Sequence, residues 1–342
     1  MDLRTLGEFG LVERLARKLA ARSAASCAGS LTLGIGDDAA LLQPPPGTEV
    51  VATMDALVEE VHFRRDWSPP QDLGWKALAV NLSDLGAMGA RPLGALISLA
   101  VPPEVEVRWI DRLYEGLADC AAEYGCPLVG GDTVRSPRHV AISVTALGTV
   151  LAGRAVRRSG ARLGDRVCVT GVLGDSGAGL ALLERGETGR GTDNRAVLEW
   201  HRRPRPPAEA GAVLAERGLA TAMMDLSDGL AADLRRLARA SGVGARIEEQ
   251  RLPISDAARQ AAEHLGVDAV RWALHGGEDY QLLFTVAPER FADVPPALGP
   301  LGVTATVIGE ITRRGILLAG NGGKARPLRP EGFSHFGVSG GG

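Results

Sequence analysis

The chain is poor in aromatic residues, with six Phe, five Trp and three Tyr among 342 residues. Any core it builds must therefore be aliphatic and rich in alanine. It has four cysteines (Cys27, Cys120, Cys126 and Cys168), and none forms a Cys-x-x-Cys pair. That argues against a zinc ribbon and against a disulfide scaffold. There is no excess of basic charge: the formal net charge is −3. A nucleic-acid partner, which asks for a basic stripe, is not expected. No apolar run approaches the roughly 18 residues needed to span a bilayer. The opening segment MDLRTLGEFGLVERLARKLA carries acidic residues and lacks the apolar centre of a signal peptide. The expectation is a cytoplasmic enzyme without a membrane partner. Two phosphate-binding signatures are also missing. There is no G-x-x-x-x-G-K-[ST], and no G-x-G-x-x-G ahead of a strand lysine.

What is present is a chain long enough for two domains, with 45% hydrophobic residues, 45 glycines and 20 prolines. Residues 8–22 set Phe9, Leu11, Val12, Leu15, Ala16 and Leu19 at helical spacing. Glu49–Met54 reads as a strand, Trp75–Met88 as a helix, Leu93–Val101 as a buried strand, and residues 104–124 as a second helix. Val140–Val150 alternates as a further strand. Near residue 150 the order restarts, with Asp165–Thr170 opening a new strand. The boundary is placed there, giving domains 1–150 and 151–342, each α/β or α+β. The segment 201–207 (HRRPRPP) is basic and helix-breaking, and reads as a solvated loop.

The informative feature is the placing of aspartates. GIGDDAA (34–40) sets Asp37 and Asp38 in a glycine turn, and Thr53-Met54-Asp55 sets one at the end of a strand. Asp84 falls inside a mostly apolar helix, where an unpaired carboxylate is costly. Gly130-Gly131-Asp132-Thr133 follows a strand, Asp225 and Asp228 precede a helix, and Glu278-Asp279 follows two glycines. Each alone is an ordinary turn or cap residue. Together they invite a cation, because two carboxylates 4 Å apart at an effective dielectric near 20 repel by about 4 kcal/mol. Oxygen ligands without His or Cys select hard ions, Mg²⁺ first. Hard metals beside glycine turns point to phosphate chemistry. Gly174-Asp175-Ser176-Gly177-Ala178-Gly179 opens a helix, and reads equally as an anion site or as tight strand–helix packing.

Taken in order and spacing, GIGDDAA (34–40), TMDALVEEVHF (53–63), NLSDLGAMGARP (81–92), GGDT (130–133), RSGARLGD (158–165), GDSGAGLALL (174–183), MDLSDGL (224–230) and GGEDYQLLFT (276–285) resemble the thiamine-monophosphate kinases. These belong to the aminoimidazole ribonucleotide synthetase-like superfamily. The likeness runs from about residue 7 to residue 336. It implies an N-terminal α/β domain that forms a homodimer through its sheet, and a C-terminal α/β domain. The implied reaction takes ATP and thiamine monophosphate to ADP and thiamine diphosphate. By the same resemblance, Asp38, Asp55, Asp84, Asp132, Asp225 and Asp228 would hold Mg²⁺, with the Thr53 hydroxyl and the Met54 carbonyl. Gly131, Asp132, Arg158 and Ser227 would meet ATP, and His62, Glu278 and Phe333 would meet thiamine monophosphate. Glu60 departs from the family, which usually has Gly there. Tyr280 is read as core. Two alternatives stay open: another ATP-using synthetase of the superfamily, and a non-catalytic protein that binds Mg²⁺ and nucleotide.

Overall fold

The computed structural model describes residues 10, 11, 13–19, 30–188, 194–320, 322, 324–329 and 331. They divide into two compact units, one from Met1–Leu85 with Ala90–Ala155, the other from Gly86–Gly89 with Val156–Gly342. No helix among the described residues is long and apolar enough to cross a membrane.

The first unit begins with a helix, α1, seen at residues 10–11 and 13–19. Its Leu11, Leu15 and Leu19 are buried, as their spacing predicts. A short ladder follows, β1 (Leu31–Leu33) with β2 (Leu41–Leu42). Then come β3 (Thr48–Val58), α2 (Pro70–Ala87), β4 (Arg91–Val101), α3 (Val107–Tyr124), β5 (Leu128–Arg135) and β6 (Ala141–Leu151). The four long strands form one sheet in the order β3-β6-β4-β5, antiparallel except for the parallel β4/β5 pair. Leu78, Leu82 and Leu85 of α2 share a core with Leu113 and Leu117 of α3 and with Ile97, Leu99, Ile142 and Val144 of the sheet. The two helices touch through glycine: a Cβ on Gly116 would stand 1.7 Å from the Gln71 carbonyl oxygen. The opposite sheet face is open, with Val50, Met54, Leu96 and Val134 exposed.

Three expectations change here. The first helix of the sheet layer starts at Pro70 rather than Trp75. Proline suits a first turn, where its missing N–H has no partner to lose. Asp55 is not at a strand end, since β3 continues to Val58. Gly130–Thr133 is not a turn after a strand but the middle of β5, paired with Leu96–Leu99.

The second unit contains β7 (Arg166–Thr170), α4 (Asp175–Glu184), α5 (Arg195–Arg202), α6 (Ala208–Glu216), β8 (Ala222–Asp225), α7 (Leu230–Ser241) and β9 (Gly244–Glu248). It continues with α8 (Asp256–Leu265), α9 (Ala269–His275), β10 (Leu282–Val286), α10 (Val294–Leu298), β11 (Ala305–Thr312), β12 (Ile316–Ala319) and β13 (Ala325–Pro327). Seven strands run β13-β12-β9-β11-β7-β10-β8, with β12/β9 the one parallel pair among them. Successive residues face opposite layers. Val167, Val169 and Leu283 pack with Leu230, Leu234 and Leu237 of α7. Cys168 and Phe284 pack with Leu214 of α6 and Leu298 of α10. Each unit is thus a sheet with helices against it, in keeping with the two-domain α/β expectation.

Candidate active site

In the first unit the acidic residues of β3 meet α2. Strand alternation turns Thr53 and Asp55 toward the helix and Met54 away from it, 66% exposed on the open face. The Thr53 hydroxyl donates to Asp84 Oδ2 at 2.5 Å. The Asp55 amide donates to Asn81 Oδ1 at 3.1 Å, and Asn81 Nδ2 donates one turn back to the Ala77 carbonyl at 3.0 Å. Asn81 and Asp84 sit three residues apart, so one face of α2 presents both. Burial pushes the Asp55 carboxyl up to about 6, helped by the Asp84 charge and a hydrogen bond with it. The pair has two half-buried carboxylates and a hydroxyl, a donor set of oxygens only.

The remaining candidates of this unit lie elsewhere. Asp132 stands in the cross-strand row Asp132, Ser98, Ser143, Ala56, on the open face. Asp55 belongs to the neighbouring row with Val144, Ile97 and Gly131. Gly131 is obligatory for that pairing, because a Cβ there would stand 2.1 Å from the Ile97 carbonyl oxygen. Asp38 is exposed in its glycine turn, with its amide bonded to Asp37 Oδ1 at 2.8 Å. His62 is half-buried, and its Nδ1 accepts from the Val58 amide at 3.1 Å. Glu60, two residues earlier, has φ +67°, the left-handed region that favours glycine.

In the second unit, two loops are laced together. Asp225 ends β8 and is buried, paired with Leu282 of β10. The Glu278 amide donates to the Ser227 carbonyl and the Tyr280 amide to the Leu226 carbonyl, each at 2.8 Å. Tyr280 is buried, as expected of a core residue. The Asp228 amide donates to Asp233 Oδ2 at 3.0 Å, and Arg236 pairs with both Asp228 and Asp233. Burial pushes the fully enclosed Asp233 carboxyl up to about 6. Glu278 is half-buried and lies 3.3 Å from His201 Nδ1. Arg158 is exposed, and its carbonyl accepts from Ser241 Oγ at 3.1 Å. Phe333 lies outside the described residues.

The choice left open at Gly174 is settled by Asp279. Its Oδ2 accepts from the Gly174 amide at 2.8 Å and its Oδ1 from the Ser176 amide at 3.4 Å. An internal carboxylate therefore occupies the N-terminus of α4, and an outside anion has no place there. Burial raises the Asp279 carboxyl well above the usual range, against the lowering effect of these two amides. Segment 201–207 is not a solvated loop: His201, Pro204 and Pro206 are buried. Sequence reasoning also passed over Asn81, Asp233 and Arg236. The signal for Asp233 was its position in the first turn of α7, where a carboxylate can bond a free amide.

Among the described residues no three His, Cys, Asp or Glu side chains come together as a metal set. The described residues bring Asp55 and Asp84 together in the first unit and brace Asp228 and Asp233 with Arg236 in the second.

The matched family models are AIR synthase related protein, N-terminal domain, over residues 36–150, and AIR synthase related protein, C-terminal domain, over residues 162–318. The thiamine-monophosphate kinase of Salmonella typhimurium is 42% identical over 307 residues, 90% of either chain. The chain belongs to the thiamine-monophosphate kinase family. The crystal structure of the Stenotrophomonas maltophilia thiamine-monophosphate kinase matches with TM-score 0.82 at 39% identity, covering 94% of this chain and 98% of that one. AaThiL complexed with AMPPCP and TMP matches with TM-score 0.77 at 36% identity, covering 98% and 99%.

Proposed function

We propose that the chain transfers the γ-phosphoryl group of ATP to the phosphate of thiamine monophosphate, giving ADP and thiamine diphosphate. The observation that carries this is the near-complete match to AaThiL, whose complex holds AMPPCP and TMP together. AMPPCP is ATP with a methylene between the β and γ phosphorus atoms, so that complex pairs a nucleotide with an acceptor. An oxygen of the acceptor phosphate attacks the γ phosphorus in line. The bond from that phosphorus to the β–γ bridging oxygen breaks, and its electron pair leaves on ADP. The acceptor is already an anion near neutral pH, so no strong base is required.

The task of the protein is to bring two polyanions together in the right line. The Thr53, Asp55 and Asp84 donor set fits a hard cation, being all oxygen, with Asp55 raised to about 6 by burial first and by the neighbouring Asp84 second. Mg²⁺ ions would be held in the first unit by the Thr53 hydroxyl, Asp55 and Asp84, with Asp38, the Met54 carbonyl and Asp132 as separate ligands of that unit, and in the second unit by Asp225 and Asp228. Bound there, they supply charge neutralisation for the phosphates. Gly131, Asp132, Arg158 and Ser227 are the ATP contacts, with the Arg158 guanidinium offering paired donors to phosphate oxygens. His62, Glu278 and Phe333 are the thiamine monophosphate contacts. Glu278 gives an anion to a ring that carries a permanent positive charge, and Phe333 gives an aromatic face.

The open sheet face supports a homodimer formed through the first unit, since it leaves Val50, Met54, Leu96 and Val134 exposed for a partner to cover. The three described cysteines are buried and form no disulfide, in keeping with a reducing cytoplasmic setting.

The deciding experiment is an ADP-release assay with ATP and Mg²⁺, comparing thiamine monophosphate, thiamine and no acceptor, with the product identified by chromatography. Turnover with the monophosphate alone, yielding thiamine diphosphate, is expected. ADP release that ignores the acceptor would keep the ATP site and overturn the kinase reaction.

A further inference from the structure

The last turn of α5 carries His201, whose ring is buried. Its Nδ1 lies 3.0 Å from Ser176 Oγ on α4 and 3.3 Å from Glu278 Oε2. The preceding residue, Trp200, donates from Nε1 to the Asp279 carbonyl at 3.3 Å. Consecutive residues of α5 thus hold consecutive residues of the 278–279 loop. Gly179 makes the approach possible. A Cβ there would stand 2.3 Å from the Val197 carbonyl oxygen and 2.9 Å from His201 Cβ.

Glu278 has φ +64°. A non-glycine residue stays in that region only where its surroundings over-determine it. The Glu278 amide bond to Ser227 fixes the backbone of this residue. His201 adds a restraint on the side chain, with Nδ1 3.3 Å from its carboxylate. A carboxylate has no hydrogen to give, so a hydrogen on this side of the ring belongs to Nδ1 and is shared between Ser176 Oγ at 3.0 Å and Glu278 Oε2 at 3.3 Å. Ser176, itself buried on α4, is hydrogen-bonded to the same nitrogen and so restrains the ring.

We propose that His201 is a positioning residue for substrate recognition: its Nδ1–H, steadied by Ser176, holds the Glu278 carboxylate in the orientation that receives a cationic ring. This rests on the assignment of Glu278 to thiamine monophosphate. The bound ring bears a permanent charge, and a carboxylate already held in place loses less freedom when it binds. His201 therefore acts on the affinity for thiamine monophosphate, and not on ATP or on the transfer step at saturation.

The test is steady-state kinetics on the full chain, varying each substrate while the other is saturating. His201→Phe is expected to raise KM for thiamine monophosphate about tenfold, the usual weight of a hydrogen bond to a charged group, with KM for ATP and kcat unchanged. His201→Asn, whose amide N–H reaches the place of Nδ1, is expected to restore KM toward the wild-type value. His201→Gln, whose amide reaches the place of Nε2, is not. Adding His201→Phe to Glu278→Gln should cost nothing further. A fall in kcat or an equal rise in both KM values, alike in the Phe and Asn variants, would show a general structural role and overturn the inference. A raised KM in Glu278→Gln with none in His201→Phe would overturn it while sparing the role of Glu278. An unchanged KM in Glu278→Gln would remove both. Should His201→Phe fail to fold, by circular dichroism, the Asn and Gln variants decide, and equal KM values for them would overturn it.

Discussion

The Thr53 hydroxyl donates a 2.5 Å hydrogen bond to Oδ2 of Asp84, tying the middle of β3 to a carboxylate of a mostly apolar helix. That helix buries nearly every side chain, so it has no solvent-facing stripe on which to spread charge. Asp84 is kept in a place where only a partner or a cation compensates its burial. Asp84→Asn is therefore expected to lower kcat on the order of a hundredfold while leaving the fold intact. Thr53→Val should lower it less, about tenfold. Turnover with circular dichroism checks both, and near-normal activity of Asp84→Asn would remove it from the machinery.

Asp279 closes the N-terminus of α4 with two backbone amides. Asp279→Ala leaves both buried donors without an acceptor, and should cost about 1–3 kcal/mol. Asp279→Asn keeps one acceptor oxygen and removes the buried charge, so its loss should be smaller. Urea unfolding of the two variants compares them. Equal losses would show that the cap is not what Asp279 contributes.

Glu60 occupies a left-handed position. Its side chain pairs with Arg64 in an exposed contact at 3.9 Å, which contributes little. Glu60→Gly relieves about 1–2 kcal/mol of backbone strain and gives back part of it as unfolded-state entropy. A net gain of about 0.5–1 kcal/mol is expected in denaturant unfolding. A loss would mean that the side chain holds the turn.

The N-terminal helix is pinned by Arg14, which donates twice to Asp111, at 2.8 and 2.6 Å. The Arg14 hydrogen bond holds the Asp111 carboxyl below its usual range. A carboxyl lowered by folding stabilises the fold fully above its unfolded pKa, about 3.9, and loses that as pH falls through the lower folded value. The stability difference between wild type and Asp111→Asn should thus be constant from pH 7 to about 5 and shrink below about 4. Denaturation midpoints across that range measure it. A difference that grows in acid would have the wrong sign for this pair.

The open sheet face carries Val50 at 53% exposure in a strand with Met54. Val50→Glu places a charge in any interface formed there, and should shift a dimer toward monomer in analytical ultracentrifugation. A monomeric wild-type chain would remove the homodimer assignment.

Much of the fold could be read locally. The alternation at Val140–Val150 corresponds to β6 at Ala141–Leu151, and the helical period after Pro103 to α3 at Val107–Tyr124. Those patterns record which face is buried, and that is a property of neighbouring residues. Gly130-Gly131-Asp132-Thr133 misled because glycines usually mark turns. Here Gly131 sits mid-strand because the Ile97 backbone comes too close for a Cβ, and Ile97 is 34 residues away in the chain. His201 misled because basic, proline-rich sequence usually meets water, whereas α4 and the 278–279 loop cover it.

The sequence by itself determined the family, the aliphatic two-unit architecture and the set of carboxylates, because composition, periodicity and motif order are all written along the chain. Only the tertiary structure decided which of those carboxylates meet. Asp55 joins Asp84 and Asp132 does not, because strand register assigns neighbouring cross-strand rows to opposite faces of the sheet. Asp279 became a helix cap, not a binding group, because the second unit folds that loop onto the first turn of α4. Such pairings depend on contacts between residues far apart in the chain, which no local pattern encodes.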